Sequence, residues 1–197
     1  SKAVLDGVQT EFHLMQGSAY TVATGLHQIL QTLRAKLAEP IYRDVHLCWD
    51  GVIEVSKEEL RSLQPSSRVL GCQPSLNVYG IKPKHVNAER YRKRSAGGHI
   101  HLGLNAPIYV NKSTLIDERI RLVPLLDVLL GNTCVLLDRD LNQVERRKLY
   151  GRPGEYRLPA HGLEYRTLSN FWLRSKPLTD FVFTLSSMVV GLLTTTL

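Results

Sequence analysis

Two Glu-Tyr-Arg triplets, at residues 155–157 and 164–166, are the part of this sequence whose residue types and spacing best suit chemistry. Leucine flanks each triplet, and a turn at Pro159–Gly162 separates them. Because residues i and i+2 of a β-strand point to the same face, each triplet would present a carboxylate and a guanidinium together. A hairpin of the two strands would then form what we call the polar plate: Glu155, Arg157, Glu164 and Arg166.

The polar plate admits two interpretations. Carboxylates can bind divalent metal ions while guanidinium groups bind phosphate oxygens, so the plate suits a polyphosphate held through metal ions. Alternatively, the four side chains only connect the two strands of the hairpin by ion pairs. Three further arginines lie directly upstream: Arg146, Arg147 and Arg152.

The segment Gly97–Leu104, GGHIHLGL, shows the same design. Strand alternation places His99 and His101 on one face and the three apolar residues on the other, and the paired glycines allow close approach to the backbone. Two histidines at this spacing can bind a metal ion, a phosphate or a ribose, although such pairs also occur as ordinary half-buried residues.

A strand is also expected at Val4–Leu14, with Gln9, Glu11 and His13 on its polar face. Glu11 could serve as a metal ligand there. The simpler interpretation is one exposed carboxylate on an outward face, and the residues alone favour it.

Apolar periodicity predicts two main helices. One, at Ser18–Leu37, is expected to cover the back of the sheet. The other, at Ser113–Leu130, is expected to be kinked or split by Pro124 and to end at a Gly131 cap. The uncharged residues 181–197 predict a buried helix, too short and too polar for a membrane span. Because the chain stops within that helix, we expect a truncation at the C-terminus.

Shorter elements are predicted between these. Val45–Val55 is expected to form a hairpin through a Trp-Asp-Gly turn, and Ser56 with Glu59 fits a capping box. A broken strand is expected at Arg68–Tyr79, and a Cys-Val-Leu-Leu strand is expected to follow Gly131.

The charged loop Lys82–Arg94 carries six Lys or Arg residues. Runs of this kind are usually a solvated surface, and the alternative is a mobile flap over an anionic ligand.

Composition bounds the fold and the partners. The 197 residues suit a single domain spanning 1–197, and the net charge of +7 favours anionic ligands, with nucleic acid possible but not favoured. The three cysteines lack the spacing of a zinc site, and the N-terminus lacks the apolar core of a signal peptide. We therefore expect reduced thiols, a cytoplasmic location and no membrane association.

The apolar-back, polar-front pattern recurs in the expected strands that carry Glu11, His99 and the two triplets. It predicts an α+β fold: a curved, mainly antiparallel β-sheet with helices on its convex face and a polar concave active-site face. Glu, His and Arg together on that face suit a metal–nucleotide complex and phosphoryl transfer. The sequence contains no GxxxxGK[ST] loop, so a P-loop enzyme is excluded.

These segments also carry a resemblance. GGHIHLGL and RRKLYGRPGEYRLPAHGLEYRTLSNFWL, with the earlier LDGVQTEF and VLGCQPSLN, resemble the phage-associated carboxylate–amine ligases (COOH·NH2 ligase type 2). That family belongs to the glutamine synthetase and glutamate–cysteine ligase superfamily. The resemblance implies a glutamine synthetase catalytic-domain-like fold and a bacteriophage-encoded amidoligase working in the bacterial host cytoplasm. It also implies ATP and Mg²⁺ as cofactors, and an acyl phosphate that an amine attacks to give an amide or isopeptide bond.

The resemblance also assigns roles residue by residue. Glu11, His99 and Glu164 match metal-binding positions, and Arg157 and Arg166 match arginines that neutralise phosphate and the transferring group. With Glu164, these two arginines form the expected catalytic set. The residues expected to bind the nucleotide cofactor are His99, His101, Arg147 and Arg152, the last two by position only. Asn170 resembles the asparagine of the family's closing motif.

The chain departs from the family pattern where Gln9, Gln73 and Ser75 replace acids. Fewer carboxylates weaken a site for a hard divalent cation. The alternative function is therefore an inactive ligase-fold protein that acts as a binding or virion-associated protein for a nucleotide, a nucleic acid or a protein partner. A metal-dependent hydrolase built on the two histidines is a third hypothesis, and it leaves the clustered arginines unexplained. The carboxylate and amine substrates stay unidentified; a peptide or protein target is possible, and so is an oligomer.

Overall fold

A computed structural model describes residues 2–6, 9–68, 70, 75–87, 90–103 and 112–195. Gln73 and Cys72, with other parts of the expected Arg68–Tyr79 strand, lie outside the described residues. The α-helices of the described part of the chain are α1 (Ala19–Leu37), α2 (Lys57–Ser62), α3 (Pro65–Arg68), α4 (Lys112–Leu126), α5 (Asn132–Leu137), α6 (Asn142–Arg147) and α7 (Lys176–Thr195). Its strands are β1 (Lys2–Asp6), β2 (Gln9–His13), β3 (Val52–Glu54), β4 (Leu76–Asn77), β5 (Lys93–Ser95), β6 (Ile100–Gly103), β7 (Glu155–Arg157) and β8 (Gly162–Tyr165).

The strands form three antiparallel sheets, so the expectation of an α+β protein with antiparallel sheets is confirmed. A four-stranded sheet has the order β4-β7-β8-β6, and two-stranded sheets pair β1 with β2 and β3 with β5. The predicted hairpin of the two triplets is present, with Tyr156 opposite Tyr165 and Arg157 opposite Glu164. Next to it, β6 places His101 opposite Glu164.

The four-stranded sheet has one apolar face and one polar face. Ile100, Leu163 and Tyr165 point into the main hydrophobic core, while Glu164 and His101 lie on the opposite face. The helix α4 packs against β8 and α7, and α1 packs mainly on α7. Leu26 and Leu30 of α1 nevertheless belong to the same hydrophobic core as Ile100, Leu163 and Tyr165 of the sheet. Of the helices, α4 makes the main contact with β8, and α1 reaches the core beside α7.

The strand that carries Glu11 does not join this sheet, contrary to the prediction. β2 pairs with β1 in a separate hairpin, and the short β4 takes the edge position beside β7. The alternation in residues 9–13 correctly indicated a strand, but alternation does not identify the neighbouring strand. Phe12 and Leu14 still pack against the core.

Pro124 lies inside the second main helix and does not split it, contrary to one form of the prediction. After Pro124 the helix widens into a π-turn at Asp127–Gly131 and then continues as α5. Gly131 is buried within the helix and does not end it, and the segment expected to be a Cys-Val-Leu-Leu strand is helical. A short apolar run such as Cys-Val-Leu-Leu fits a strand or a helix, and here the helix continues through the π-turn.

The helical stretch Arg119–Leu137 has the length and the mean hydropathy, 1.8, that a membrane span would need. Its buried residues Leu122, Leu126 and Leu130 lie in the same core as the sheet. The apolar composition of this stretch is thus also that of a core helix.

Two local predictions near the chain surface had opposite outcomes. The capping box is present, since Ser56 and Glu59 exchange side-chain-to-backbone hydrogen bonds at the start of α2. The hairpin expected at Val45–Val55 is wrong: its only strand, β3, pairs with β5 instead. The predicted C-terminal helix is confirmed as α7, with Val182 and Val189 fully buried.

Candidate active site

The polar plate exists and is held together by ion pairs. Arg157 on β7 donates a hydrogen bond from Nε to Oε2 of Glu164 on β8 at 2.6 Å, and its Nη2 forms an ion pair with the same oxygen at 2.6 Å. One cross-strand ion pair, between Arg157 and Glu164, is therefore present. The chemistry expected of the plate, phosphate and metal binding, remains a prediction.

Glu164 is the centre of the plate. Its other oxygen, Oε1, accepts a hydrogen bond from Arg166 Nη1 at 2.5 Å and lies 3.0 Å from His99 Nδ1. His101 Nε2 approaches the same oxygen to 3.8 Å. Both carboxylate oxygens of Glu164 therefore have N–H partners: Arg157 at Oε2, and Arg166 and His99 at Oε1. Burial would raise the pKa of Glu164, but hydrogen bonds from His99 and Arg157 and the charge of Arg166 hold it well below its usual range.

Arg166 is completely buried, and each of its guanidinium nitrogens has a partner. Besides the bond to Glu164, Nε donates to Ser75 Oγ at 2.9 Å and Nη2 donates to the Tyr150 hydroxyl at 3.1 Å. Ser75, which stands where the family resemblance led us to expect an acid, thus contacts the plate through a neutral hydroxyl. Glu164 is the carboxylate that Arg166 pairs with.

His99 and His101 share the polar face, as predicted, but they are placed differently. The His99 side chain is 15% exposed, and burial lowers its pKa to about 4, so the ring is neutral near pH 7. The His101 side chain is 62% exposed. Partial desolvation of the ring lowers the pKa of His101, and the carboxylates of Glu164 and Glu11 oppose this shift. His101 is therefore the more accessible of the two to a ligand.

Tyr150 belongs to the site, although the sequence reasoning missed it. Its hydroxyl lies between His99 Nε2 and Arg166 Nη2, and its ring lies 5.0 and 5.3 Å from the guanidinium carbons of Arg146 and Arg166. The neutral His99 ring then donates a hydrogen bond from Nδ1 to Glu164 and accepts a hydrogen bond at Nε2 from the Tyr150 hydroxyl. The available signal was its position in LYGRPG, between the basic run and the first triplet.

The second plate glutamate, Glu155, belongs to a separate pair. Its oxygens accept hydrogen bonds from Arg152 Nε at 2.7 Å and from the Gly151 amide at 2.9 Å, and the residue is buried. Arg152 also donates to the Lys82 carbonyl, which fixes one end of the basic loop beside the plate.

Of the upstream arginines, Arg146 has a structural role, and the role of Arg147 stays a prediction. Arg146 is fully buried and donates to the carbonyls of Ala96, Thr167 and Leu168, so it holds the chain segments on either side of the site. Arg147 is half-buried at the end of α6, and its expected role in cofactor binding stays a prediction.

The metal expectation is not supported by the donor set. Within the described residues, no group of three or more His, Cys, Asp or Glu is arranged to hold a metal ion. The Glu11 side chain is about half exposed on the β1–β2 hairpin, 3.4 Å from His13, and reaches the site only through its charge effect on His101. The role of Glu11 as a metal ligand stays a prediction. The two other expected ligands, His99 and Glu164, already bond to each other.

Asn170, the residue of the expected closing motif, is buried next to the 3₁₀-turn Phe171–Arg174, and its side-chain oxygen has no hydrogen-bond partner among the residues that the structure describes. Of the two cysteines in the described residues, Cys134 is buried and Cys48 is exposed; that the thiols are reduced stays a prediction.

Comparison with known proteins gives one match. A family model described as phage phiEco32-like COOH·NH2 ligase-type 2 matches residues 85–195, more than half of the chain. The matched span contains the whole polar plate, both histidines and Tyr150, and it excludes Glu11 and Ser75. No curated protein and no solved structure matches the chain.

Proposed function

The chain belongs to the phage phiEco32-like COOH·NH2 ligase-type 2 family, and on that premise we propose that it uses ATP to join a carboxylate to an amine on the polar face of its four-stranded sheet. A carboxylate–amine ligase is the kind of enzyme that the family name describes. The observation that carries the location of the reaction is the cluster of Glu164, Arg157, Arg166 and the two histidines on one face.

The reaction needs activation of the carboxylate, because a carboxylate anion does not react with an amine. In the proposed sequence, the substrate carboxylate oxygen attacks the γ-phosphorus of ATP, the bond to the β-phosphate oxygen breaks, and ADP leaves. The amine nitrogen then attacks the acyl carbon, phosphate leaves, and the nitrogen loses a proton. ATP supplies the leaving group that makes the second step possible.

The side chains of this chain contribute positioning and charge neutralisation, which dominate catalysis of phosphoryl transfer. Arg157 and His101 are the accessible groups that would contact the phosphates. Arg166 stays behind them and fixes Glu164, and Glu164 in turn orients Arg157.

We propose that Mg²⁺ enters this site with the nucleotide. The described residues include no group of three or more His, Cys, Asp or Glu arranged for a metal ion; both oxygens of Glu164 already have N–H partners, and Glu155 pairs with Arg152. Mg²⁺ often keeps substrate phosphates and waters as its main ligands, so phosphates can carry it without a protein cage.

We also propose that the sheet corresponds to the curved, concave-faced sheet of the glutamine synthetase-like fold. Its segregation into an apolar face toward α4 and α7 and a polar face with the plate supports this relation. The same family relation supports a bacteriophage protein that works in the host cytoplasm, where ATP is available.

The test uses hydroxylamine as a surrogate amine. The protein is incubated with ATP, Mg²⁺ and a panel of carboxylates, including glutamate and peptides with acidic side chains, and both ADP and the hydroxamate product are measured. We expect equal amounts of the two products with at least one carboxylate, and loss of both with Arg157→Ala. ADP release that needs no carboxylate, or turnover unchanged in Arg157→Ala, would refute the proposal.

A second candidate function is an inactive ligase-fold protein that binds a nucleotide or another polyanion. It is favoured by the neutral contact of Ser75 with Arg166, where a further carboxylate would strengthen a metal site. The same experiment separates the two functions, because this candidate predicts nucleotide binding without ADP release for every carboxylate in the panel.

A further inference from the structure

We infer that Glu164 organises a direct oxyanion site in which Arg157 and His101 contact the anion and no metal ion bridges it to the protein. The ligand class is a phosphate or carboxylate oxyanion. The inference deepens the proposed function, and it rests on that function for the expectation that the natural anion is a nucleotide phosphate or the substrate carboxylate.

The first step of the argument is that both oxygens of each plate carboxylate already have N–H partners. A metal ion at Glu164 would compete with Arg157, Arg166 and His99 for contacts of 2.5 to 3.0 Å. Displacing the fully buried Arg166 would leave a desolvated charge uncompensated, which is costly. Glu155 offers no alternative, because it is buried against Arg152 and the Gly151 amide.

The second step is the charge balance. Arg157 and Arg166 share the single negative charge of Glu164. Two guanidinium groups face one carboxylate, so the cluster carries excess positive charge. Excess positive charge at a partly buried site favours an anion, and paired guanidinium N–H groups suit the planar oxygens of phosphate or carboxylate.

The third step is access. Arg166 is 0% exposed and each of its nitrogens already has a partner, so a ligand cannot reach it without rearrangement. The side chains of Arg157 and His101 are 38% and 62% exposed on the same face. The two arginines therefore have different roles: Arg157 contacts the ligand, and Arg166 is a positioning residue.

The experiment has a metal arm and an anion arm. In the metal arm, Mn²⁺ binding to the nucleotide-free protein is followed by electron paramagnetic resonance. In the anion arm, calorimetry measures inorganic pyrophosphate, ATP and succinate in EDTA and again with Mg²⁺. The variants are Arg157→Ala and, as a matched control, Arg43→Ala, which removes the same charge from an exposed arginine paired only with its neighbour Asp44. Thermal unfolding checks that each variant folds.

The expected result is no Mn²⁺ binding below about 1 mM. We also expect anion binding in EDTA that Arg157→Ala weakens about ten-fold, the loss of one charge-assisted contact, and that Arg43→Ala leaves unchanged. Binding of pyrophosphate and ATP assigns the site to nucleotide phosphate, whereas binding of succinate alone assigns it to the substrate carboxylate; both support the inference.

Mn²⁺ binding at micromolar concentration that disappears in Glu164→Gln would overturn the inference, and so would anion binding that requires Mg²⁺. Either result would leave the ligase proposal standing. No binding of any anion under either condition would overturn the inference and the proposed function together.

Discussion

At the scale of single residues, the site is a chain of side-chain contacts running from Ser75 through Arg166 to Glu164 and Arg157. Buried ion pairs of this kind do not add much net stability, because both charges lose their hydration. Removing one partner is nevertheless destabilising, because the other charge stays buried. We therefore infer that the network mainly holds the site side chains in position. Tyr150 offers the first test of this inference.

The Tyr150 hydroxyl and ring have separable roles. Tyr150→Phe removes the hydroxyl that contacts Arg166 and His99, which should lower the free energy of unfolding by about 1–3 kcal/mol. Tyr150→Leu also removes the ring from Arg146 and Arg166 and should cost about 0.5–2 kcal/mol more. Urea denaturation measures both. Tyr20→Phe, at a largely exposed site, is the control and should change little; equal stability of all three variants would contradict the assignment.

His99 predicts a pH dependence of stability. Its pKa is about 4 in the folded protein, against 6.5 for an unperturbed histidine, so the unfolded chain binds more protons between these values. The free energy of unfolding is therefore highest, as far as His99 is concerned, above about pH 6.5. It falls by a few kcal/mol as the pH drops toward 4, because protonation favours the unfolded chain. The lowered pKa of His101 acts in the same direction, whereas Glu164 loses its contribution only at still lower pH.

Denaturation curves at pH 7, 6, 5 and 4.5 test this dependence. His99→Gln should flatten the decline, because glutamine does not titrate. The exposed His46 is the matched position, and His46→Gln should keep the decline of the unmodified protein. A decline of the same size in both variants would assign it to other groups.

At the scale of elements, the π-turn between α4 and α5 positions the back of the sheet. It buries Asp127, whose carboxylate accepts hydrogen bonds from the hydroxyls of Tyr165 on β8, at 2.7 Å, and of Tyr79, at 2.9 Å. π-Turns are rare single turns inside α-helices, and they often occur at functional sites. Here the turn ties the helical layer to the strand that carries Glu164 on its other face.

Gly131 tests this packing. A Cβ at residue 131 would lie 2.6 Å from the Tyr165 hydroxyl oxygen, so Gly131→Ala should destabilise the protein by about 1–3 kcal/mol although alanine favours helices. The matched control is Gly191→Ala in α7, where an added Cβ meets no atom of the described residues within 4 Å and should stabilise by about 0.5–1 kcal/mol. Thermal unfolding of the pair gives the signs, and a stabilising Gly131→Ala would refute the contact.

At the scale of the whole molecule, the net charge of +7 and the basic loop tethered beside the plate should attract anionic ligands from a distance. Exposed residues of that loop include Lys82, Lys84 and Arg90. Such attraction is screened by salt, with a Debye length of about 10 Å at 0.1 M.

We therefore expect ATP binding to weaken several-fold between about 50 and 300 mM KCl, in line with Debye screening. Adenosine, which carries no charge, should bind with nearly constant affinity over the same range. Calorimetric titrations of both ligands at four salt concentrations make the comparison. Equal salt dependence for the two ligands would show that the charge of the protein does not contribute.

Much of the site could be predicted locally. The period-2 alternation of the two triplets and of GGHIHLGL placed Glu164, Arg157, His99 and His101 on one face, because alternation depends only on strand geometry. Helix α1 and the capping box of α2 were predicted for the same reason: their signals lie within a few residues of one another.

The tertiary structure decided what depends on distant contacts. Ser75 meets Arg166 across 91 residues and Tyr150 meets His99 across 51, and no local pattern reports such pairs. The edge partner of the sheet, β4 in place of β2, and the helical state of Cys134–Leu137 were likewise set by packing. Local periodicity therefore determined which side chains face the site, whereas the packing of distant segments determined which of them, Arg157 and His101, a ligand can reach.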